Sequence, residues 1–440
     1  MNKVTGKISI RGFQYPLITL NIQCEFWTYV RLYQGDALIY QYIGRDSELV
    51  VDLVDVSYGQ SQLFDDSDLT YVVMDVQKFT TPIVNVEVTD GKPAHIEEHH
   101  HFIQNMADRS KTDKRYYKGD LHAHTNLSDG SLTPSELVAH AKEVGLDFFF
   151  ITDHNFYHTI WPKSDMLVLP GVEFTGNTGH WNALNLQDAI DMYSEDYNIE
   201  SIEGTHKLMD RICDNDTLVS VNHPFLTIWS WLHDELDLTK VDSLELWNDP
   251  SYKDNPKATE EALKFWHASL VTGHRITAVG GSDFHHLIDV KDDNRTNALN
   301  DPTTHVYCEG LNKDNLLESI RSGHVFVTRF INVEAFNVIV NDKAVMFGDT
   351  MNTSGNAKVA FEVKGEPVTG EVTLYTKDKR YVSSLENNVA TFNVEVEAND
   401  FLRFELRNEE LIAFTNPIYQ GAIERTTTTY KEVKALMYEI

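Results

Sequence analysis

Cysteine is nearly absent. Cys24, Cys213 and Cys308 are the only three in 440 residues, far apart and without a CxxC spacing. An odd and scattered set excludes a disulfide framework and a thiolate zinc site. No apolar run reaches about 18 residues, the length that a membrane-spanning helix needs. The opening MNKVTGKISIRGFQYPL has neither an apolar leader core nor a small-residue cleavage site. A cytoplasmic protein with no membrane partner is therefore expected. Positive charge is scarce: 37 Lys and Arg stand against 67 Asp and Glu, a net charge of −30. That field repels nucleic acid and anionic lipid, so no nucleic-acid partner is expected either. There is no internal repeat or low-complexity tract, which leaves an ordinary folded chain of two or three domains of about 100–200 residues each.

What the chain does have is concentrated in 118–155, KGDLHAHTNLSDGSLTPSELVAHAKEVGLDFFFITDHN. A short strand delivers Asp120, His122 and His124, and side chains two apart on a strand share a face, so both histidines can grip one ion. Asp129 follows in a Ser-Asp-Gly turn. Thr133-Pro134-Ser135-Glu136 predicts a capping box with Pro at the first helical position, and Gly145 predicts the helix end. The apolar run 148–151 predicts a buried strand that ends in Thr152-Asp153-His154. Two successive strands thus end in metal-type ligands, where α/β folds place their sites. HxH alone is weak; joined to Asp129 and a strand-terminal Asp-His it is strong.

Residues 1–100 predict a β-sandwich, with strands at 17–24, 26–33, 37–42, 49–54, 71–76 and 83–88. It is expected to pack, to shape a substrate site, or to support a homo-oligomer. The His- and Glu-rich 95–101 is tempting, but adjacent histidines on an extended segment face opposite sides; with 101–115 it predicts a linker. Over 116–330 strands alternate with helices, the latter expected at 202–213, 259–272 and 312–321, and ligand-type residues recur at strand ends. Glu173 lies near one strand end, His223 before the strand-breaking Pro224, Glu245 within a strand, and Asp283 and His285 after another. Over 331–440 a second β-sandwich is expected, with strands at 333–340, 357–363, 371–375, 390–396 and 401–407.

Within 116–329, DLHAHTNLSDG and ITDHN resemble the first two motifs of the PHP (polymerase and histidinol phosphatase) metallohydrolases. LPGVEFTGNTGHWNALNL is similar to the carbaryl hydrolase (CehA/McbA-like) branch of that superfamily. The resemblance implies an α/β fold, a distorted (β/α)7 barrel, flanked in this chain by the two β-sandwiches. It also implies a division of ligands: His122, His124, Glu173 and Asp283 on one ion; Asp129, His154 and His285 on a second; bridging Glu173 and His223, with Glu245, on a third.

The ligand set of imidazoles and carboxylates without thiolate suits Zn²⁺, Mn²⁺ or Fe²⁺, and nine candidates exceed what one ion needs, so two or three divalent ions are expected. Coordination can lower the pKa of water from about 15.7 to about 7, supplying a nucleophile at neutral pH. Clustered cations also neutralise the charge that phosphoryl transfer spreads over oxygens. The expectation is a metal-dependent phosphoesterase acting on a small anionic phosphomonoester or phosphodiester. A carbamate or carboxylic ester hydrolase is the first alternative, and a ligand-binding protein with a retained metal core the second. His180 is a candidate to polarise substrate or protonate a leaving group. Asp120 and Asp153 are candidate acceptors for ligand N–H groups, Arg275 and Arg329 candidates to meet an anion, and Trp229, Trp231 and Trp247 are read as packing, Trp247 with the option of lining the pocket.

Overall fold

The computed structural model describes residues 3–53, 65–77, 79–92, 100–102, 111–162, 164–213, 216–287 and 298–439. The His- and Glu-rich 95–99 lies outside the described residues.

Two sheets form the N-terminal region. One has the lateral order Lys3–Ile8, Leu69–Asp75, Thr28–Gln34, Ala37–Gly44; the other runs Glu48–Asp52, Pro16–Gln23, Ile83–Asp90. Period-two patterning makes them pack. Along Pro16–Gln23, Ile18, Leu20 and Ile22 are buried while Asn21 and Gln23 are exposed. Both inner faces meet in one cluster that includes Ile18, Leu20, Val30, Leu32, Val51 and Val73, each buried aliphatic side chain contributing about 1.5–3 kcal/mol. Lys3–Ile8 was not among the expected strands, because KVTGKI has little apolar alternation to reveal it.

The middle of the chain builds a continuous sheet. Seven strands lie side by side in the order Lys111–Asp120, Phe148–Ile151, Leu167–Gly176, Gly179–Leu184, Leu218–Val221, Ser243–Asn248, Thr277–Gly281. Neighbours are parallel except that Gly179–Leu184 runs antiparallel to both of its neighbours. Phe148–Ile151 is buried at all four positions, as a parallel strand covered on both faces must be. The two ends of the series meet through a single bridge, Ala123 with Phe284; the His124 N–H donates to Phe284 O at 2.9 Å and the Asp283 N–H to His122 O at 3.0 Å.

A regular seven-fold βα repeat is not shown. Among the described residues between 116 and 330 the α-helices are Pro134–Glu143, Ile202–Cys213, Asn255–Val271 and Lys313–Ser322. The physical reason is local: Asn177 and Thr178 alone connect Leu167–Gly176 to Gly179–Leu184, and so short a turn permits only an antiparallel pair. The first helix begins as expected, with the Thr133 N–H donating to Glu136 Oε2 at 2.9 Å and the Glu136 N–H to Thr133 Oγ1 at 3.3 Å.

Beyond Lys111–Asp120 on its other side, the same sheet continues through Thr303–Leu311, Val325–Thr328, Glu410–Thr415, Asp400–Asn408, Glu371–Tyr375 and Arg380–Ser384. A four-stranded sheet of Lys343–Val345, Val333–Val340, Gly355–Gly365 and Val389–Val396 covers the far part, with Phe336, Val338, Phe361, Phe404 and Leu406 between the layers. The sheet therefore crosses the expected boundary at 330 without a break, since Val325–Thr328 pairs with Glu410–Thr415. Residues 111–115, expected in the linker, begin a strand instead: Lys111 pairs with Leu311, and Lys114 with Glu309. Their side chains are exposed and, apart from Thr112, charged, so no apolar period announced them. The helix Tyr430–Leu436 was also unanticipated, although Thr429 and Glu432 form a capping box. Tyr430 packs against Phe265, their rings tilted and 4.5 Å apart, which returns the end of the described chain to the middle region. Among the described residues, no helix is long and apolar enough to cross a membrane.

Candidate metal centre

The ends of the seven strands converge on one buried cluster. Ala123 is bridged to Phe284 and belongs to the apolar layer with Leu137 and Ile151. Alternation then turns both flanking residues, His122 and His124, to the opposite side. His154 follows Phe148–Ile151 and is bridged to Glu173 on Leu167–Gly176. His180 lies on Gly179–Leu184, Glu245 on Ser243–Asn248, and His223 just beyond Leu218–Val221. Asp283 and His285 leave Thr277–Gly281, and Asp129 comes in from the turn before the first helix. His223 (φ 28°) and Asp283 (φ 50°) hold left-handed backbone, a strain of about 1–3 kcal/mol each that clusters at functional sites.

Glu173 is the hub. Its Oε2 lies 3.3 Å from His122 Nε2, 3.5 Å from His124 Nε2 and 2.8 Å from His154 Nδ1. Its Oε1 faces the other way, 3.1 Å from His180 Nδ1 and 3.5 Å from His223 Nε2. Asp283 Oδ1 stands 3.2 Å from His122 Nε2 and 3.0 Å from His124 Nε2. Asp129 Oδ1 is 3.5 Å from His154 Nε2 and 3.2 Å from His285 Nε2. The side chains fall into three groups whose ligand atoms lie within 4.8 Å of one another: His122, His124, Glu173 and Asp283; His124, Asp129, His154 and His285; and Glu173, His180 and His223.

The donor set fits divalent cations. Both His122 Nε2 and Glu173 Oε2 are fully buried at the centre and make no hydrogen bond, which is costly unless something fills the space between them. Burial opposes charge on His122 and His154, yet the carboxylates around them win and hold both imidazoles well above the usual histidine range: Asp283, Glu245 and Glu173 for the first, Asp129 and Glu173 for the second. His285 is raised to about 9 against its burial, by Asp283 and Asp129. Burial and the charges of His285 and His154 depress His124 to about 4. Although buried, Glu173 and Asp283 stay well below the carboxylate range because histidines surround them. The cluster calls for positive charge, which protons supply when no metal does.

Residues 120–206 match the PHP domain model. The matched span is a fifth of the 440 residues and holds His122, His124, Asp129, His154, Glu173 and His180. A 5′-3′ exoribonuclease, Rnm of Escherichia coli (strain K12), is 39% identical over 64 residues, an alignment that takes in 13% of this chain and 22% of that relative's length. Among solved structures, a two-domain protein from Bacteroides vulgatus ATCC 8482, described as containing a predicted PHP-like metal-dependent phosphoesterase, aligns at 14% identity. It covers 69% of this chain and 96% of its own, with a TM-score of 0.38. A protein from Bifidobacterium adolescentis ATCC 15703, assigned by prediction as a metal-dependent phosphoesterase, aligns at 15% identity over 46% of this chain and 95% of its own, with a TM-score of 0.29.

The match to the PHP domain ends at 206, and it is the fold that brings His223, Asp283 and His285 to the residues inside it. Glu245 stands outside the three groups. Its Oε1 faces His122 Nδ1 at 3.0 Å, and its Oε2 accepts from the His223 N–H at 3.1 Å and from Asn248 Nδ2 at 3.2 Å. It thereby fixes which nitrogen His122 turns inward. His180 takes the place in the third group that the family pattern gave to Glu245. Asp120 and Asp153 serve backbone and loop more than imidazole. Asp120 accepts from the N–H groups of His122, Ser282 and Asn300. Asp153 accepts from the Thr125 N–H and hydroxyl, the Ser128 hydroxyl and His158 Nε2, all at 2.6–2.7 Å. Sequence reasoning had not singled out His158.

The cluster opens to solvent through a cleft of about 290 Å³ lined by Asp129, His154, His180, His223, Asp283 and His285, with Leu226, Trp229, Asn248, Asp249, Tyr252, Asn255 and His286 at its walls. Trp229 therefore lines the mouth rather than packing, and meets Tyr252 edge-on at 6.3 Å. Trp247, the tryptophan thought able to line the pocket, is buried against Phe414. Trp231 packs as expected. Neither arginine faces the cleft: Arg329 Nε donates to Asp301 at 3.0 Å, and Arg275 lies 4.1 Å over the Tyr419 ring. Trp229, in the short turn Thr227–Trp229, and Tyr252, just before Asn255–Val271, were not legible as wall residues because neither sits in a periodic strand or helix that fixes its facing.

Proposed function

We propose that the protein is a metal-dependent phosphoesterase that hydrolyses small phosphomonoesters or phosphodiesters. The observation that carries this is the one carboxylate, Glu173, shared by five histidines, with unpartnered buried atoms at the centre of the cluster. Two or three divalent ions of manganese, zinc or iron would be held: one by His122, His124, Glu173 and Asp283, one by Asp129, His154 and His285 with His124, and one by Glu173, His180 and His223. Such ions, when bound, act as Lewis acids toward phosphoryl oxygens and lower the pKa of water. The chain's own residues do the rest. Glu245 orients His122, Asp153 fixes the turn that carries Asp129, and Trp229, Tyr252 and Asn248 form the wall against which the remainder of the substrate would lie. A phosphate anion gains from every positive charge in such a cluster, whereas a neutral carbamate gains from one. The net charge of −30 favours a small substrate over a polymer lying across the surface.

The same proposal reads the seven strands joined at Ala123 and Phe284 as the family's distorted (β/α)7 barrel, flanked by sandwich units at 1–100 and 331–440. It places the protein in the carbaryl hydrolase branch and in the cytoplasm. The test is turnover by metal-replete protein on aryl phosphates, nucleotides, sugar phosphates and an RNA oligonucleotide, the last suggested by the name of the Escherichia coli relative. Manganese- or zinc-stimulated hydrolysis of the small phosphates, lost on chelation, is expected. Turnover of aryl carbamates or esters with no phosphate hydrolysed would hand the case to a neutral-ester hydrolase. Binding without any turnover would leave a binding protein.

A further inference from the structure

A buried amide of the N-terminal sheets bonds to the loop that follows His154. Gln41, on Ala37–Gly44, is 2% exposed. Its Nε2 donates to Tyr157 O, and the Tyr157 N–H donates back to its Oε1 at 3.1 Å. Tyr157 lies in the loop three residues beyond His154 and belongs to no strand. An amide side chain thus does for this loop what a neighbouring strand would do, satisfying both of its backbone groups. Beside it, Tyr29 meets Tyr193 edge-on at 5.6 Å. Asn155 Nδ2 in turn donates to Tyr193 Oη at 3.3 Å and to Thr175 O at 3.0 Å, while Asn155 Oδ1 accepts from the Thr175 N–H at 2.9 Å. Tyr29, Ile43 and Met74 of the N-terminal region share one buried cluster with Phe156, Tyr157 and Tyr193. The N-terminal region is therefore packed into the back of the loop that carries His154.

We infer that this region is a working part of the metal centre, and that Gln41 is a positioning residue. By holding 155–157 it holds His154 toward Asp129 and His285. The inference rests on the metal reading given under Proposed function. Its physical basis is preorganisation: a ligand on a loop that must be ordered at the moment of binding gives back part of the affinity as conformational entropy. Groups that bond a ligand directly change metal affinity by about 10–100-fold when removed; Gln41 acts through three residues of backbone, so the low end of that range is expected.

The test is Gln41→Met, which keeps the length and apolar bulk and removes both hydrogen bonds, read by titrating the full-length metal-free protein with Mn²⁺ and counting equivalents and affinities. The expected result is a weakening of about 10-fold for one class of ion, together with faster backbone amide exchange at 154–157. Gln41→Leu, which likewise removes both hydrogen bonds without burying a charge, should weaken the same class of ion and serves if the methionine variant does not fold. Leu20→Ala, in the sandwich core away from this contact, controls for general destabilisation. Equal affinities in the native and Gln41→Met proteins would overturn the inference, and so would an equal loss in Leu20→Ala at a matched melting temperature. Failure of the native protein to bind any ion is a separate outcome: it would remove the metal reading itself.

Discussion

Glu245 offers the sharpest discrimination between a ligand and a residue that orients one. It is 2% exposed and its two oxygens serve His122 Nδ1, the His223 N–H and Asn248 Nδ2. Alanine would strand three buried donors, each costing about 1–3 kcal/mol, and would confuse unfolding with loss of function. Glu245→Gln is the cleaner perturbation. It retains one acceptor oxygen and the side-chain volume, but removes the charge that raises the basicity of His122, and it points an NH₂ group at a donor. One mismatched donor pair predicts a stability loss of about 1–3 kcal/mol, small enough for the fold to persist. Loss of an orienting carboxylate predicts a drop in metal affinity of about 10–100-fold, or about 1.4–2.7 kcal/mol, at an unchanged number of ions. Equilibrium titration with Mn²⁺, with elemental analysis of the saturated protein, reads both quantities. Loss of a full equivalent at saturation would make Glu245 a ligand, as the family pattern implied. An affinity unchanged within about twofold would refute the orienting role that we assign from the 3.0 Å contact.

Further outcomes follow from the same geometry. Because His122, His154 and His285 are raised above the ordinary histidine value in the metal-free cluster, metal binding should release protons, and affinity should increase with pH up to about 9, where His285 titrates; calorimetry in buffers of different ionisation enthalpy measures this. The sign for stability is the reverse: protonation of His285 stabilises the metal-free fold fully below the unfolded value near about 6.5. That contribution fades as pH rises toward about 9, so the metal-free melting temperature should fall across this window, and a flat profile would count against the charge balance described. Asp283→Asn should weaken the ion held with His122 and His124, and His285→Ala the ion held with Asp129 and His154. Each should lose turnover with the fold kept by circular dichroism, and full activity of either under limiting metal would exclude that residue as a ligand. Trp229→Ala should raise KM for substrates with a bulky leaving group while leaving metal content unchanged, because Trp229 lines the cleft without touching the three groups.

Much of the chemistry could be read from the chain because it depends on local spacing. HxH around an inward Ala123, a capping box at Thr133 and a buried FFFI strand ending in Thr-Asp-His are consequences of period and sequence neighbours alone. So were most strands of the N-terminal sheets, where period-two burial leaves a direct trace. Properties that depend on contacts between distant segments could not be read this way. Whether Glu245 binds an ion or turns a histidine depends on whether His122 Nδ1 or open space lies 3.0 Å away, 123 residues back along the chain. His180 entered a ligand group only because a two-residue turn folds Gly179–Leu184 against Leu167–Gly176 and sets Thr175 opposite it, beside Glu173. The charged strand segment 111–115 carries no apolar period and exists because Thr303–Leu311 lies alongside to complete its hydrogen bonds. Spacing along a chain fixes which side chains share a face, while the distance between faces is set by how the sheet closes. That is why the sequence determined the ligand inventory, and only the tertiary structure decided which members meet around Glu173 and which, like Gln41 and Glu245, hold them in place.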